Sequence, residues 1–371
     1  MKIKQQLHSL KPYQPGKSIE AVKKQFGLEK IIKLASNENP YGSSPNVKKA
    51  IIQMDVPYSL YPDGLASPLR ISMANFLNVN PDQLMFGNGS DEIIRIISRS
   101  LLHKECNTVM ATPTFPQYKH NAIIEGAEIR EVSLINGEHD LSNMLQAIDE
   151  KTNVVWLCSP NNPTGTYIKK DQIISFLDQV PKHVLVVLDE AYYEYVHEPD
   201  YYHSHEFIHL YENLVILRTF SKIYGLAGFR LGYCIGNSVI IKGLEPSREP
   251  FNVNALAQIA GETALKDQNF VEQCNKANQE GLQQFYQFCK KNELHYFPSQ
   301  GNFILIDFNQ DGDEVFQYLL ERGYIVRSGK GLGFPTSVRI TIGLKEQNEG
   351  LIQVLGTFLE QRETIVENTL V

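Results

Sequence analysis

Lys222 sits in the stretch Thr219-Phe220-Ser221-Lys222-Ile223-Tyr224-Gly225-Leu226-Ala227-Gly228-Phe229-Arg230, among small and apolar neighbours, with hydroxyls before it and an arginine after it. Two readings of that lysine stand. It is a solvated loop residue, as most lysines are, or an amine desolvated by apolar surroundings and a nearby cation, which loses its proton and becomes a nucleophile toward aldehydes. Asp189 bears on the choice. It closes the near-continuous apolar run 184–188, and a carboxylate at the end of a buried strand requires a cationic partner. Tyr192 follows three residues later. The segment Ser159-Pro160-Asn161-Asn162-Pro163-Thr164-Gly165 is either a plain loop or a pair of amides fixed between prolines as donors. In Gly87-Asn88-Gly89-Ser90-Asp91-Glu92 the glycines permit close backbone approach, Ser90 can cap the helix that follows, and the free N–H groups of a first turn attract an anion. A simple capped helix is the alternative there, and the spacing is not the G-x-G-x-x-G of a dinucleotide site.

These groups need a frame. Strand-like runs recur at 84–86, 108–111, 128–134, 154–158, 184–188, 214–217 and 231–235, with helical patterns at 93–102, 116–125, 141–149 and 170–179 between several of them. Such alternation predicts a mostly parallel, seven-stranded sheet with helices on both faces, and ligand-contacting residues just past the carboxyl ends of its strands. Beyond residue 243 the pattern turns helical, at 254–265 and 267–292. A smaller α/β unit follows, with strands at 301–308, 324–327 and 337–343 and helices at 313–322 and 345–359. Arg339 lies inside the apolar strand Val338-Arg339-Ile340-Thr341-Ile342 and either pairs with an internal carboxylate or faces an anionic ligand, and Arg327 stands near it in the chain. The first forty residues read as an arm, helical at 18–26, that ends in the turn Asn37-Glu38-Asn39-Pro40-Tyr41-Gly42. The expected division is an arm at 1–42 joining the smaller unit, a large unit at 43–245 and a small one at 246–371.

Composition excludes several classes. A chain of 371 residues exceeds the roughly 250–300 at which one core stops growing. A net charge of -7 with pI ≈ 5.8 opposes a nucleic-acid partner, which needs a basic face. No segment approaches the ~20 apolar residues of a membrane span, and residues 1–16 lack the apolar core of a secretory leader, so a cytoplasmic location is expected. Five scattered cysteines without C-x-x-C spacing fit buried free thiols and carry no metal or redox chemistry.

A strand-end lysine, a buried aspartate, an asparagine turn, a tyrosine three residues past the aspartate and two anion-binding elements are the equipment of a pyridoxal-phosphate site. That coenzyme needs an amine for its aldehyde, a carboxylate for its pyridine nitrogen, donors to its ring oxygen and a cup for its phosphate. Across nearly its whole length the sequence resembles the fold-type I pyridoxal-phosphate aminotransferases, and within them the histidinol-phosphate group. The resemblance rests on Pro12-Tyr13-Gln14-Pro15-Gly16, the Asn37–Gly42 turn, Tyr61-Pro62-Asp63-Gly64, the 87–92 turn, 159–165, Asp189-Glu190-Ala191-Tyr192, Ser221-Lys222 with Arg230, and Arg339-Ile340-Thr341-Ile342-Gly343, in that order. It implies that Lys222 forms the Schiff base and shuttles the substrate proton, that Asp189 pairs with the pyridinium, and that Asn162 and Tyr192 bond the ring oxygen. It further implies a phosphate held by Ser90, Asp91, Thr219, Ser221 and Arg230, with Tyr61 reaching over from the second subunit of a homodimer, and Phe115 stacked on the ring where many relatives carry tyrosine. Arg339, with Arg327, Tyr13 and Asn37, would form one anion site that reads the phosphate of histidinol phosphate and the carboxylate of glutamate or 2-oxoglutarate in turn. An aromatic amino-acid aminotransferase and a lyase resembling threonine-phosphate decarboxylase are the competing readings, and both keep Lys222. A coenzyme-binding regulatory domain is disfavoured by the acidic charge.

Overall fold

A computed structural model describes residues 3–10, 17–199 and 201–369. Its strands are β1 (Ile32–Lys33), β2 (Leu84–Asn88), β3 (Asn107–Thr112), β4 (Glu128–Ser133), β5 (Thr152–Cys158), β6 (Leu185–Asp189), β7 (Leu214–Thr219), β8 (Leu231–Gly236), β9 (His295–Tyr296), β10 (Phe303–Asp307), β11 (Tyr324–Ile325), β12 (Arg327–Ser328) and β13 (Ser337–Thr341). The helices are α1 (Ile19–Phe26), α2 (Pro45–Gln53), α3 (Ser67–Leu77), α4 (Ser90–Leu101), α5 (Gln117–Glu125), α6 (Leu141–Gln146), α7 (Lys170–Gln179), α8 (Ser238–Leu244), α9 (Ala255–Leu265), α10 (Gln268–Lys291), α11 (Gly312–Leu320) and α12 (Lys345–Thr369). Among the described residues no helix is long and apolar enough to cross a membrane.

Seven strands form the large sheet in the order β2-β8-β7-β6-β5-β3-β4. All run parallel except β8, which is antiparallel to both its neighbours. The reason is length. A parallel return needs a crossover of a dozen or more residues, usually a helix, and the segment between Thr219 and Leu231 is too short to supply one. The central strands are buried on both sides, and successive residues go to opposite cores. Val155, Leu157, Val186, Leu188, Leu214 and Ile216 pack on one face; Val154, Trp156, Leu185, Val187, Val215 and Leu217 pack on the other. Each such side chain contributes about 1.5–3 kcal/mol by leaving water, so the strand ends that carry the chemistry rest on a stiff floor.

The smaller sheet, β12-β13-β10-β9, is antiparallel. Ile304, Ile306, Val338 and Ile340 meet Leu282, Phe285 and Phe288 of α10 and Leu351 and Leu355 of α12 in its core. The run 324–327, expected as one strand, divides. Tyr324 and Ile325 pair with β1 of the N-terminal arm, whereas Arg327 and Ser328 pair with β13. The arm is tied to this unit a second time through Val22, Ala35, Leu320 and Ile325. Helix α9 lies beyond the expected boundary at 245/246, yet it packs on α2 and α3 and buries Ala257, Ala260 and Ala264 in the large core. Helix α12 runs past the expected end at 359 to Thr369.

Candidate active site

The antiparallel turn from β7 to β8 builds the lysine's surroundings. Thr219 pairs with Gly232, so the chain leaves β7, turns at Lys222–Gly225 and comes back with Arg230 beside Ser221. Phe220 N–H donates to Leu231 O at 3.0 Å, Leu226 N–H to Phe220 O at 3.0 Å and Gly225 N–H to Lys222 O at 2.9 Å. Gly225 has φ +68°, and a Cβ there would collide with the Gly42 carbonyl, so the turn packs directly on the arm. Lys222 Nζ donates to Ser36 O at 3.2 Å and opens into a cavity of about 460 Å³. The side chain is half-buried, with solvent reaching Nζ from the cavity while protein encloses it elsewhere. That enclosure, followed by the like charge of Arg339, lowers its pKa from 10.5 to about 8.

Asp189, at the end of β6, lines the same cavity. The expected cationic partner is not what holds it: among the described residues its Oδ2 accepts a hydrogen bond from the neutral Tyr118 Oη at 2.6 Å. Its Oδ1 is buried without a hydrogen-bond partner, and the Ala191 backbone N–H lies near enough to the carboxylate to favour its ionised form. Burial pushes its pKa up to about 7, with the Tyr118 bond opposing the rise. A central strand in an apolar sheet brings no cation with it, and a cationic group bound in the cavity would supply the missing charge.

Asn162 follows the end of β5. Its Oδ1 accepts from Arg339 Nη1 at 2.6 Å and its Nδ2 reaches Tyr192 Oη at 3.5 Å. The neighbouring Asn161 is turned the other way, bonded to Thr114 and Thr164, and serves the loop itself. Tyr192 is buried, and its hydroxyl accepts from Asn37 Nδ2 at 2.9 Å. Burial pushes that phenol up to about 12, which keeps its proton available for donation.

Gly89 and α4 form the anion cup. Ser90 does not cap the helix: Gly89 occupies the cap position at φ 80°, ψ 163°, a region essentially reserved for glycine, and Ser90 is the first helical residue. Any Cβ on Gly89 would run into the Arg230 guanidinium, and one on Gly232 into the Ser90 backbone. The Ser90 hydroxyl is thereby released toward the cavity it lines. Arg230 Nη2 lies 3.3 Å from Asp91 Oδ2, and its Nη1 donates to Ser221 Oγ at 3.4 Å and Ala227 O at 3.2 Å. An Asp91 carboxylate repels a phosphate, so this residue would serve an anion through its first-turn backbone N–H and by holding Arg230. Thr219 Oγ1 accepts from Ser221 N–H at 3.0 Å. Phe115 is half-buried at the cavity wall, edge-on to Tyr118 at 5.6 Å.

Across the cavity Arg327 and Arg339 are directly opposed on β12 and β13. Like charges facing one another on neighbouring strands destabilise a sheet unless an anion joins them. Asn37 sits at φ 56°, its N–H donating to Thr341 Oγ1 at 2.9 Å and its Oδ1 accepting from the same hydroxyl at 3.0 Å. It therefore touches the cavity chiefly as the clamp on Tyr192. Tyr13 lies outside the described residues. Tyr61 is exposed, stacked on Phe251 at 4.6 Å, and is not part of the cavity wall of its own chain.

Sequence reasoning missed Tyr118, Cys158 and the pair Arg218–Glu190. Cys158 lines the cavity with its thiol pushed up to about 12 by burial. Arg218 Nε meets Glu190 Oε2 at 3.0 Å in full burial, tying the end of β7 to the residue after Asp189. The charged pair was visible as Arg218 and Glu190 at two strand ends, but only the sheet order makes them neighbours. Tyr118 carried no signal, being one aromatic in an apolar helix face.

The chain belongs to the aminotransferase class I and II family, whose pattern matches residues 29–355. Within that family it is 59% identical over 365 residues to the histidinol-phosphate aminotransferase of Geobacillus sp. (strain WCH70), covering 98% of this chain and 100% of that one. It is 58% identical over 360 residues to the Bacillus subtilis (strain 168) protein of the same name, 97% of this chain and 100% of that one. Among solved structures, the histidinol-phosphate aminotransferase of Sinorhizobium meliloti in complex with pyridoxal-5'-phosphate superposes with a TM-score of 0.87 at 24% identity, over 96% of this chain and 98% of that one. At that distance the likeness is one of fold. An L-threonine-O-3-phosphate decarboxylase from Porphyromonas gingivalis shares it too, with a TM-score of 0.78 at 24% identity over 89% of this chain and 100% of that one. The fold is that of the fold-type I transferases, as the sequence led us to expect. The residues also fit the group such enzymes use: an amine of depressed pKa, an orphaned buried carboxylate oxygen and a glycine-cleared cup with an arginine surround one cavity.

Proposed function

We propose that the chain transfers the amino group of L-histidinol phosphate to 2-oxoglutarate, giving 3-(imidazol-4-yl)-2-oxopropyl phosphate and L-glutamate in histidine biosynthesis, with pyridoxal 5'-phosphate as coenzyme. High identity to histidinol-phosphate aminotransferases over nearly the full chain supports the choice of substrate. The observation that carries it within the site is the opposed pair Arg327 and Arg339 on the wall of the cavity that holds Lys222 and Asp189.

The coenzyme, when bound, supplies an aldehyde to receive the amino group and a pyridinium ring that draws electron density from the substrate α-carbon. Lys222 Nζ, once it has given up its own proton, would take the proton from that carbon and deliver it to C4′ of the coenzyme. Asp189 Oδ1 accepts from the ring nitrogen, and Asn162 Nδ2 and the Tyr192 hydroxyl donate to the ring oxygen. Ser90, Thr219, Ser221, Arg230 and the Asp91 backbone bind the coenzyme phosphate, and Phe115 covers the ring face. Arg339 with Arg327 grips the substrate phosphate in one half-reaction and a carboxylate of glutamate or 2-oxoglutarate in the other, and Tyr13 and Asn37 complete that site. Tyr61, too exposed to serve its own cavity, reaches the coenzyme phosphate of a second copy, so the working unit is a homodimer. The enzyme acts in the cytoplasm, where its buried thiols stay reduced.

Steady-state kcat/KM values on histidinol phosphate, phenylalanine and threonine phosphate test the assignment. Histidinol phosphate should be preferred by orders of magnitude. A higher value for phenylalanine makes the chain an aromatic aminotransferase, and carbon dioxide release from threonine phosphate makes it a lyase.

A further inference from the structure

The Tyr118 side chain is fully enclosed and cannot turn away from Asp189. Its ring stacks on Trp156 at 4.8 Å and 12°, Phe115 meets it edge-on, and the Trp156 indole is itself anchored by donating to Thr108 Oγ1 at 3.0 Å. In that setting Tyr118 Oη sits 2.6 Å from Asp189 Oδ2, the length of a charge-assisted O–H···O⁻ bond. The other carboxylate oxygen has no partner. We infer that Tyr118 is a positioning residue for the coenzyme: by occupying Oδ2 it favours the ionised form of Asp189 and leaves Oδ1 as the acceptor offered to the pyridine nitrogen.

A carboxylate in an apolar interior tends to take up a proton, and Asp189 has no fixed cation to oppose that. A protonated Asp189 could only donate to the ring nitrogen and would leave the pyridine neutral. One phenol bonded to one oxygen favours the anion in a low-dielectric site and also stops the carboxyl group from rotating. The proton itself stays on Tyr118, whose pKa burial and the adjacent Asp189 charge raise well above the ordinary phenol value. Phe115, the expected cover of the ring face, rests on the same tyrosine, so one side chain aligns the acceptor and the stacking surface together.

The inference rests on the reading of Asp189 as the partner of the pyridine nitrogen. The test uses holoenzyme reconstituted with pyridine-¹⁵N coenzyme, following the nitrogen shift by NMR and the coenzyme Kd by equilibrium dialysis. In Tyr118→Phe, which keeps the ring, the nitrogen signal should move toward the unprotonated position and the Kd should rise about tenfold, the loss of one hydrogen bond to a charged group. A graded series at position 118 of tyrosine, 3-fluorotyrosine and 3,5-difluorotyrosine preserves packing and changes donor acidity, so it covers the case of a phenylalanine variant that folds poorly. The signal should shift toward the protonated end as acidity rises. A wild-type shift and Kd in Tyr118→Phe, or a flat response across the series, overturns the inference. Asp189→Asn separates the two layers. If it changes the nitrogen shift and Tyr118→Phe does not, the role of Tyr118 alone falls; if neither changes it, the reading of Asp189 falls with it.

Discussion

Replacing Arg327 with methionine removes one of two facing cations while keeping most of the side chain's apolar bulk. A hydrogen bond to a charged group is worth about 1.5–3 kcal/mol. Arg327 is half-buried, so its contact with a phosphate belongs at the lower end of that range. About 1.5–2 kcal/mol corresponds to roughly 10–30-fold in kcat/KM at 1.4 kcal/mol per factor of ten. The informative comparison is between L-histidinol phosphate and L-histidinol under the same conditions. In a double-displacement reaction kcat/KM for the amine reports only the first half-reaction, so the factor should appear with the phosphorylated substrate and largely disappear with the other. The KM for 2-oxoglutarate should rise as well if the same pair reads its carboxylate. Meanwhile the apoprotein should hold its urea midpoint or gain slightly, since a like-charge contact across β12 and β13 is relieved. Equal losses on the two amines, or a destabilised apoprotein, would make Arg327 a structural residue and refute the anion site.

Stability of the apoprotein should pass through a trough near pH 7–8. Asp189 takes up its proton more readily in the folded state, at about 7 rather than 3.8, so folding stability falls as pH rises through that interval. Lys222 sheds its proton at about 8 rather than 10.5, so stability recovers above pH 8. Urea titrations across pH should show this trough, and Asp189→Asn should make its acidic side shallower, the remainder coming from Glu194, which burial likewise raises to about 7. Glu190→Ala leaves Arg218 charged and buried without its carboxylate, and should cost about 3–5 kcal/mol in chemical denaturation; a loss below ~1 kcal/mol would mean that water or another group compensates. Gly89→Ala should cost about 1–3 kcal/mol from its backbone region alone. It should also displace Arg230 and weaken coenzyme binding measured by dialysis, whereas unchanged affinity would remove Arg230 from the phosphate cup.

The large sheet was legible because its strands announce themselves as apolar runs and its site residues fall at their ends. Asp189, Asn162 and Lys222 were found by that rule, and all three line one cavity. Where the reading failed, the cause was contact between distant segments. Ser90 looks like a cap in the chain, but Arg230, folded back across the β7–β8 turn, takes the space a Cβ at Gly89 would need, and that glycine displaces Ser90 from the cap position. The run 324–327 looks like one strand because its residues share a composition; only the arm, arriving from residue 32, pulls its first half into another sheet. The partner of Asp189 was sought among cations because charge is visible in a sequence, and a tyrosine in an apolar helix is not.

Arg339 and Thr341 alternate with apolar residues on the same strand and so face the same side. From Arg339 the polar contacts run to Asn162, from Asn162 to Tyr192, from Tyr192 to Asn37 and from Asn37 back to Thr341. This ring of contacts is closed on the small sheet and crosses loops that follow β5 and β6 of the large one. Its weakest member is the 3.5 Å approach of Asn162 to Tyr192. An anion arriving at Arg339 competes for the guanidinium that now binds Asn162 Oδ1. On the proposed reading it would loosen that amide and let it settle on the coenzyme oxygen, so that the group recognising the substrate would also adjust a donor to the ring that reacts with it.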